Sequence, residues 1–122
     1  MNLPLWDFEN FRLVIGSTQV DYDRDKEKAN RKKHGYSLES AVYLMTRLLL
    51  PIPQPSFITR DASTAEERRH EHMTVDDQGK VVFLVTTMRA DETIRVISLR
   101  RTHPDERHVF MALTGFKEVG HA

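Results

Sequence analysis

Two short segments, far apart in the chain, carry side chains that could act together on one anionic ligand. Near the front, Asp23-x-x-Lys26-x-x-x-Asn30-x-x-Lys33-His34-Gly35 spaces Lys26, Asn30 and Lys33 by four and then three residues. A helix brings all three to one face, with His34 at its edge. Near the end, Arg95-Val96-Ile97-Ser98-Leu99-Arg100-Arg101 reads as a strand with an arginine at its start and two at its finish. Lysine meets phosphate as a point charge and arginine as a bidentate fork, while histidine titrates near neutrality and can carry a proton. Taken alone, the helix can also be read as a solvated amphipathic one in which Asn30 only assists the turn.

Strict alternation along the last strand puts Arg95, Ile97, Leu99 and Arg101 on one face and Ile94, Val96, Ser98 and Arg100 on the other. Both faces begin apolar and end polar, which predicts a strand that starts in the core and emerges at a rim. Arg100 and Arg101 could hold phosphate there. One of them pairing with Glu67, Glu71 or Glu106 as scaffold is the expectation; pairing of both is not. Arg68, His70 and His72 alternate on one face of an earlier strand, where histidines are more often simply exposed at an edge. A metal reading of His70-x-His72 with His103 or His108 lacks a defined third ligand spacing, so no metal and no cofactor is expected.

These side chains need elements to hold them. Asp23 or Asp25 can cap a helix running to about His34, which Gly35 ends in the left-handed region. Ser37 caps a second helix to about Arg47, with Leu38, Ala41, Val42 and Met45 recurring at helical spacing. Pro51-Ile52-Pro53-Gln54-Pro55 excludes helix and central strand, and Arg60 to Ala65 reads as a polar loop. Three strands follow as an antiparallel meander: Arg68 to Val75, Lys80 to Met88 and Glu92 to Arg101. Their turns are Asp76-Asp77-Gln78-Gly79 and Arg89-Ala90-Asp91. Thr102-His103-Pro104-Asp105 starts a last helix, with Thr102 as cap, that ends near Leu113 before Gly115. In the first nineteen residues, Trp6, Phe8, Phe11, Leu13 and Ile15 are too apolar for a solvated tail. Gly16-Ser17-Thr18 there suggests a hairpin that adds an edge strand.

Composition narrows the function classes. A chain of 122 residues is one domain with one modest core. With no cysteine, neither a disulfide framework nor thiolate chemistry is available. Eighteen basic and eighteen acidic residues argue against a nonspecific nucleic-acid coat. The stretch from Arg24 to His34, with six Lys and Arg against two acids, is nonetheless locally basic. No apolar run approaches membrane-spanning length and no signal-peptide pattern is seen, so a soluble, cytoplasmic protein is expected.

Together with Glu67-Arg68 between them and Glu106-Arg107 beyond, the two cationic segments resemble the BrnT family, the small ribonuclease toxins of type II toxin–antitoxin modules. The resemblance covers roughly Val20 to Leu113. It implies a RelE-like α+β fold in which two N-terminal helices and a C-terminal helix pack on a small antiparallel sheet. Residues 1–19 then form an extension packed on the domain, 20–114 the toxin domain and 115–122 a tail. The implied activity is metal-independent endoribonuclease, in which a ribose 2′-hydroxyl attacks the adjacent phosphate, and the implied consequence is arrested translation. The candidate catalytic residues are Lys26, Lys33, His34, Arg68, Arg100 and Arg101; Asn30, His70 and Arg95 are candidates for RNA binding. The implied partner is a BrnA-like ribbon-helix-helix antitoxin that covers the active face and alone contacts operator DNA, in an assembly compatible with a dimer of toxin–antitoxin pairs. The chain departs from the family pattern at Tyr22, where tryptophan is usual, at Met73, near a usual glycine, and at Phe110, where a tyrosine hydroxyl is often found. The missing hydroxyl and the extension favour an alternative on the same fold, a non-catalytic RNA-, DNA- or protein-binding module.

Overall fold

The computed structural model describes residues 20–45, 57–88 and 93–118, together with the backbone of a two-residue strand at 7–8. The elements in chain order are β1 (Asp7–Phe8), β2 (Val20–Tyr22), α1 (Arg24–His34), α2 (Leu38–Met45), β3 (Phe57–Asp61), β4 (Arg69–Val75), β5 (Val81–Met88), β6 (Ile94–Arg101) and α3 (Pro104–Thr114). One sheet runs β1-β3-β4-β5-β6-β2. All its pairs are antiparallel except β2 with β6. The sheet is therefore mixed, not antiparallel throughout, because β2 reaches its place beside β6 through α1, α2 and the whole meander.

The helix boundaries follow local chemistry. The Asp23 carboxylate accepts from the N–H groups of Asp25 and Lys26, and Gly35, at φ 78°, donates to the Arg31 carbonyl. Ser37 accepts from the Ser40 N–H at the head of α2, whose Leu38, Ala41, Leu44 and Met45 are buried. The C-terminal end expected for this helix, the proline run and the Arg89-Ala90-Asp91 turn lie outside the described residues, as does most of the expected N-terminal hairpin. At α3 the cap is His103 rather than Thr102: the His103 N–H donates to Glu106. Thr102 is buried instead, donating its hydroxyl to the Val81 carbonyl and accepting from Arg107.

The meander has one strand more than the sequence suggested. Part of the segment read as a polar loop belongs to β3, whose Phe57, Ile58 and Thr59 are buried. Its polar end, Arg60 and Asp61, conceals the inward residues. Register also departs from simple alternation. Val85 pairs with Ser98 but Thr86 pairs with Val96, so Ile97 is the extra residue of a β-bulge. The bulge puts Leu99 in the same core as Ile94 and Val96, where α2 packs with Val82, Leu84 and Phe57. On the opposite face, Phe110 of α3 packs with Ile58, Met73, Val81 and Phe83. Met73 and Phe110 are both fully buried, so these departures from the family pattern fall in the core.

Residues 115–118 belong to the same packed unit. Phe116 meets the Phe110 ring edge-on, and the Glu118 carboxylate accepts from the Val81 N–H and from Arg101.

Candidate active site

The edge of β6 is closed by two different devices. Along its first half it pairs with β2, and the Asp23 N–H extends that ladder with a 2.9 Å bond to the Val96 carbonyl. There the chain turns into α1, and a side chain takes over from the backbone. Asn30, only 7% exposed, accepts from the Leu99 N–H at 3.2 Å and donates to the Leu99 carbonyl at 2.9 Å. Its amide also donates to the Tyr36 carbonyl at 2.9 Å. The Asn30 amide thus does for Leu99 what the peptide of a neighbouring strand would do. Its donors and its oxygen are used internally, which gives it a scaffold role in place of the RNA contact expected.

This clamp fixes the rotation of α1. With Asn30 turned to the sheet, Lys26 and Lys33 on the same face are carried to the sheet edge. They line a cavity of about 280 Å³ with Ala29, Asn30, His34 and the bulged Ile97. Among the described residues, two ammonium groups and one imidazole line it, and no carboxylate does. Partial burial pushes the His34 pKa below its ordinary value, and the positive charges of Lys33, Arg100 and His103 push it the same way. His34 is therefore neutral at pH 7 and able to accept a proton.

The strand arginines behave differently. Arg100 makes a fork of 2.8 and 2.9 Å to the two oxygens of Glu106 and lies 4.2 Å from the Phe83 ring centre. Hydrogen bonding to Glu106 holds its guanidinium even more firmly charged. Arg101 forks onto Glu118 at 2.9 and 2.8 Å and donates to the Val81 carbonyl. Both end-of-strand arginines are paired, where only one was expected to be. Arg95 is held by Asp21 at 3.1 Å across the β2–β6 pair.

Arg68 and His70 stand elsewhere. Arg68 precedes β4, and its carbonyl accepts from the Met88 N–H, whereas Arg100 pairs with Phe83. Five residues along the strands and two strands across separate them by roughly 20 Å. Arg68 is exposed, near Asp61 and His70. The His70 ring stacks on that of His72. His72 is fully buried between the hydroxyls of Thr59 and Thr86, each 2.9 Å from a ring nitrogen, and burial pushes its pKa down to about 3.

The structure thus unites Lys26, Lys33 and His34, with Arg100 close enough to act on His34 through its field. Arg68 and His70 are not brought to this cavity. Sequence reasoning missed two contributors, Ile97 as the cavity's apolar wall and His103 as a neighbour of His34. The Thr102-His103-Pro104 helix start was the available signal for the second. Among the described residues, no group of three His, Asp or Glu side chains could hold a metal ion. No described helix is long and apolar enough to cross a membrane.

Comparisons with known proteins agree with this architecture. Residues 22–106 match the model of a family described as ribonuclease toxin, BrnT, of type II toxin–antitoxin system. The 1.1 Å crystal structure of the Brucella abortus ribonuclease toxin BrnT superposes with a TM-score of 0.51. Sequence identity is 16%, over 70% of this chain and 96% of that one, so the likeness speaks to the fold. No curated protein matches.

Proposed function

The chain belongs to the BrnT family of ribonuclease toxins of type II toxin–antitoxin systems, and from that premise we propose that it cleaves RNA at the α1–β6 edge without a metal, arresting translation. One observation carries this reading: Lys26, Lys33 and a neutral His34 surround one cavity that no carboxylate of the described residues lines. A scissile phosphate seated there has its charge met by the two ammonium groups, the task a divalent ion performs in other nucleases. His34 takes the proton of the ribose 2′-hydroxyl, whose oxygen attacks phosphorus. The bond to the 5′ oxygen breaks, and that oxygen receives a proton from a lysine of the cavity. The products are a 2′,3′-cyclic phosphate and a 5′-hydroxyl end. Arg100, held by Glu106, acts as a positioning residue that keeps His34 neutral.

The partner on this reading is a BrnA-like ribbon-helix-helix antitoxin that covers the cavity, and operator DNA is met only through it. Single-turnover cleavage of an unstructured RNA in excess EDTA tests the chemistry. The wild-type chain should cut to cyclic-phosphate ends, and a Lys26→Ala, Lys33→Ala, His34→Ala triple variant of equal fold content should not. Expression of the wild type alone should slow growth where the triple variant does not. Cleavage abolished by EDTA and restored by a divalent ion, or fragments with 5′-phosphates, would replace this mechanism with a metal-dependent one.

A further inference from the structure

The cut leaves one histidine at this sheet edge unused. His103 stands in the turn from β6 into α3, its side chain 66% exposed. One oxygen of Glu106 gathers its surroundings: it accepts from the His103 N–H at 2.8 Å and from Arg100 at 2.8 Å, and lies 3.8 Å from His103 Nδ1. Arg100 in turn follows Leu99, which Asn30 clamps, and His34 is one helical turn beyond Asn30. A run of bonded neighbours therefore brings two imidazoles, one from the end of α1 and one from the start of α3, to the same end of β6. The charge of His103 reaches His34 there. With Nδ1 turned to Glu106, Nε2 of His103 faces away from the carboxylate and takes no hydrogen bond among the described residues.

Resting on the ribonuclease reading, we propose that the site performs a second reaction after the cut, hydrolysis of the 2′,3′-cyclic phosphate to a 3′-phosphate, with His103 as the base that activates water. Hydrolysis reverses the geometry of the cut: water enters where the 5′ oxygen left, opposite the 2′ oxygen, and needs a base with a lone pair near neutrality. The cavity lysines do not supply it, because an ammonium group regains its proton from solvent and then has no lone pair to offer. Glu106 does not either, since both its oxygens are committed to Arg100. An imidazole does supply it. Of the other histidines among the described residues, His70 and His72 lie on β4 and His108 lines a separate cavity on α3. The water oxygen bonds to phosphorus as its proton passes to His103 Nε2, and Glu106 meets the charge that the ring gains. The bond from phosphorus to the 2′ oxygen breaks, and that oxygen recovers from His34 the proton it lost in the cut. His34 is neutral again, and the exposed His103 gives its proton to solvent.

The test follows fragment ends over time when excess protein cuts an unstructured RNA in EDTA, and in parallel offers the protein cytidine 2′,3′-cyclic monophosphate. With wild type, cyclic ends should appear first and convert to 3′-phosphates, and the mononucleotide should open to the 3′ isomer alone, because His34 returns its proton to the 2′ oxygen. Hydrolysis without the site gives both isomers. His103→Ala should slow the conversion on the order of 10²-fold more than it slows the cut, the loss of one proton carrier. Its side chain is exposed and the contact that starts α3 is made by its backbone N–H, so the fold is retained. Cyclic ends that persist after wild type has cut the RNA overturn the proposal, as does a His103→Ala variant in which cut and conversion change by the same factor. If wild type cuts no RNA, the ribonuclease reading fails separately, and the mononucleotide judges the second reaction by itself. Opening to the 3′ isomer that His103→Ala lacks upholds it; an intact cyclic phosphate overturns it.

Discussion

The two cationic segments differ in what stands beside each of them. On α1, Lys26 and Lys33 line a cavity that has no carboxylate among the described residues; at the end of β6, Arg100 and Arg101 each lock both oxygens of a glutamate. An arginine in such a fork can turn to a phosphate only by giving up two charge-assisted bonds. The lysines have no comparable bond to lose among the described residues. Density of positive charge therefore does not mark the site. On the proposed reading the site is marked instead by a cavity that, among the described residues, is lined by cations and by no carboxylate.

The sharpest break of this contrast is at His34. His34→Ala should lower single-turnover cleavage by roughly 10² to 10⁴-fold with unchanged thermal unfolding, the range for a lost proton carrier. A rate within a few-fold of wild type would remove His34 from the chemistry. Asn30→Ala should act in the other currency. It leaves the N–H and carbonyl of Leu99 and the carbonyl of Tyr36 without their partner, and should cost about 3 kcal/mol of stability in urea titrations. A loss under about 1 kcal/mol would mean that α1 is held to β6 by something else.

Buried His72 offers a control on how a histidine without a ligand behaves. Its native pKa near 3 lies below the ordinary 6.5, so between those values the unfolded chain binds a proton that the folded chain refuses. The stability is fully present above pH 6.5 and drains away as pH falls, by up to about 1.4 kcal/mol per unit. His72→Gln can still bond both threonines and should remove that slope. A variant with the wild-type slope would assign acid sensitivity to another group. Smaller still is Arg100→Lys, which loses the fork but keeps the charge. It should cost about 1 kcal/mol of stability and change cleavage less than tenfold. A loss near 10²-fold would place Arg100 on the phosphate itself.

Legibility in the sequence tracked the range of the interactions involved. Asp23, Gly35 and Ser37 act within a few residues, and the ends they set for α1 and the start of α2 could be read directly. The Asn30 clamp spans 69 residues to Leu99, and its helix position alone offered only a ligand contact or a part in the turn of a solvated helix, not a bond to a distant strand. The bulge at Ile97 exists only against Val85 and Thr86 of the neighbouring strand, so strict alternation assigned Leu99 to the wrong face. Glu106 lies near enough to have been named as a partner for an arginine. Glu118, in a segment read as tail, did not.

The finest test asks whether the neighbourhood of His34 tunes it as the geometry implies. If His34 takes the 2′ proton, cleavage needs its neutral form, so the rate falls on the acid side as that form is lost. The midpoint of the fall should lie below 6.5, because burial and the charges of Lys33, Arg100 and His103 all disfavour the imidazolium. Lys33→Ala removes one of those charges. Its limb should move up in pH, toward the ordinary histidine value, while the plateau rate falls through the lost phosphate contact. Lys28→Ala, on the same helix but turned away from the cavity, should move neither quantity. The two effects of Lys33→Ala have separate causes, and only the shift reports on His34. A plateau that falls with an unmoved limb would leave Lys33 as a phosphate ligand and give the titrating group another identity. A limb that moves further down in pH would contradict the sign of the coupling and, with it, the placement of His34 beside Lys33 during the reaction.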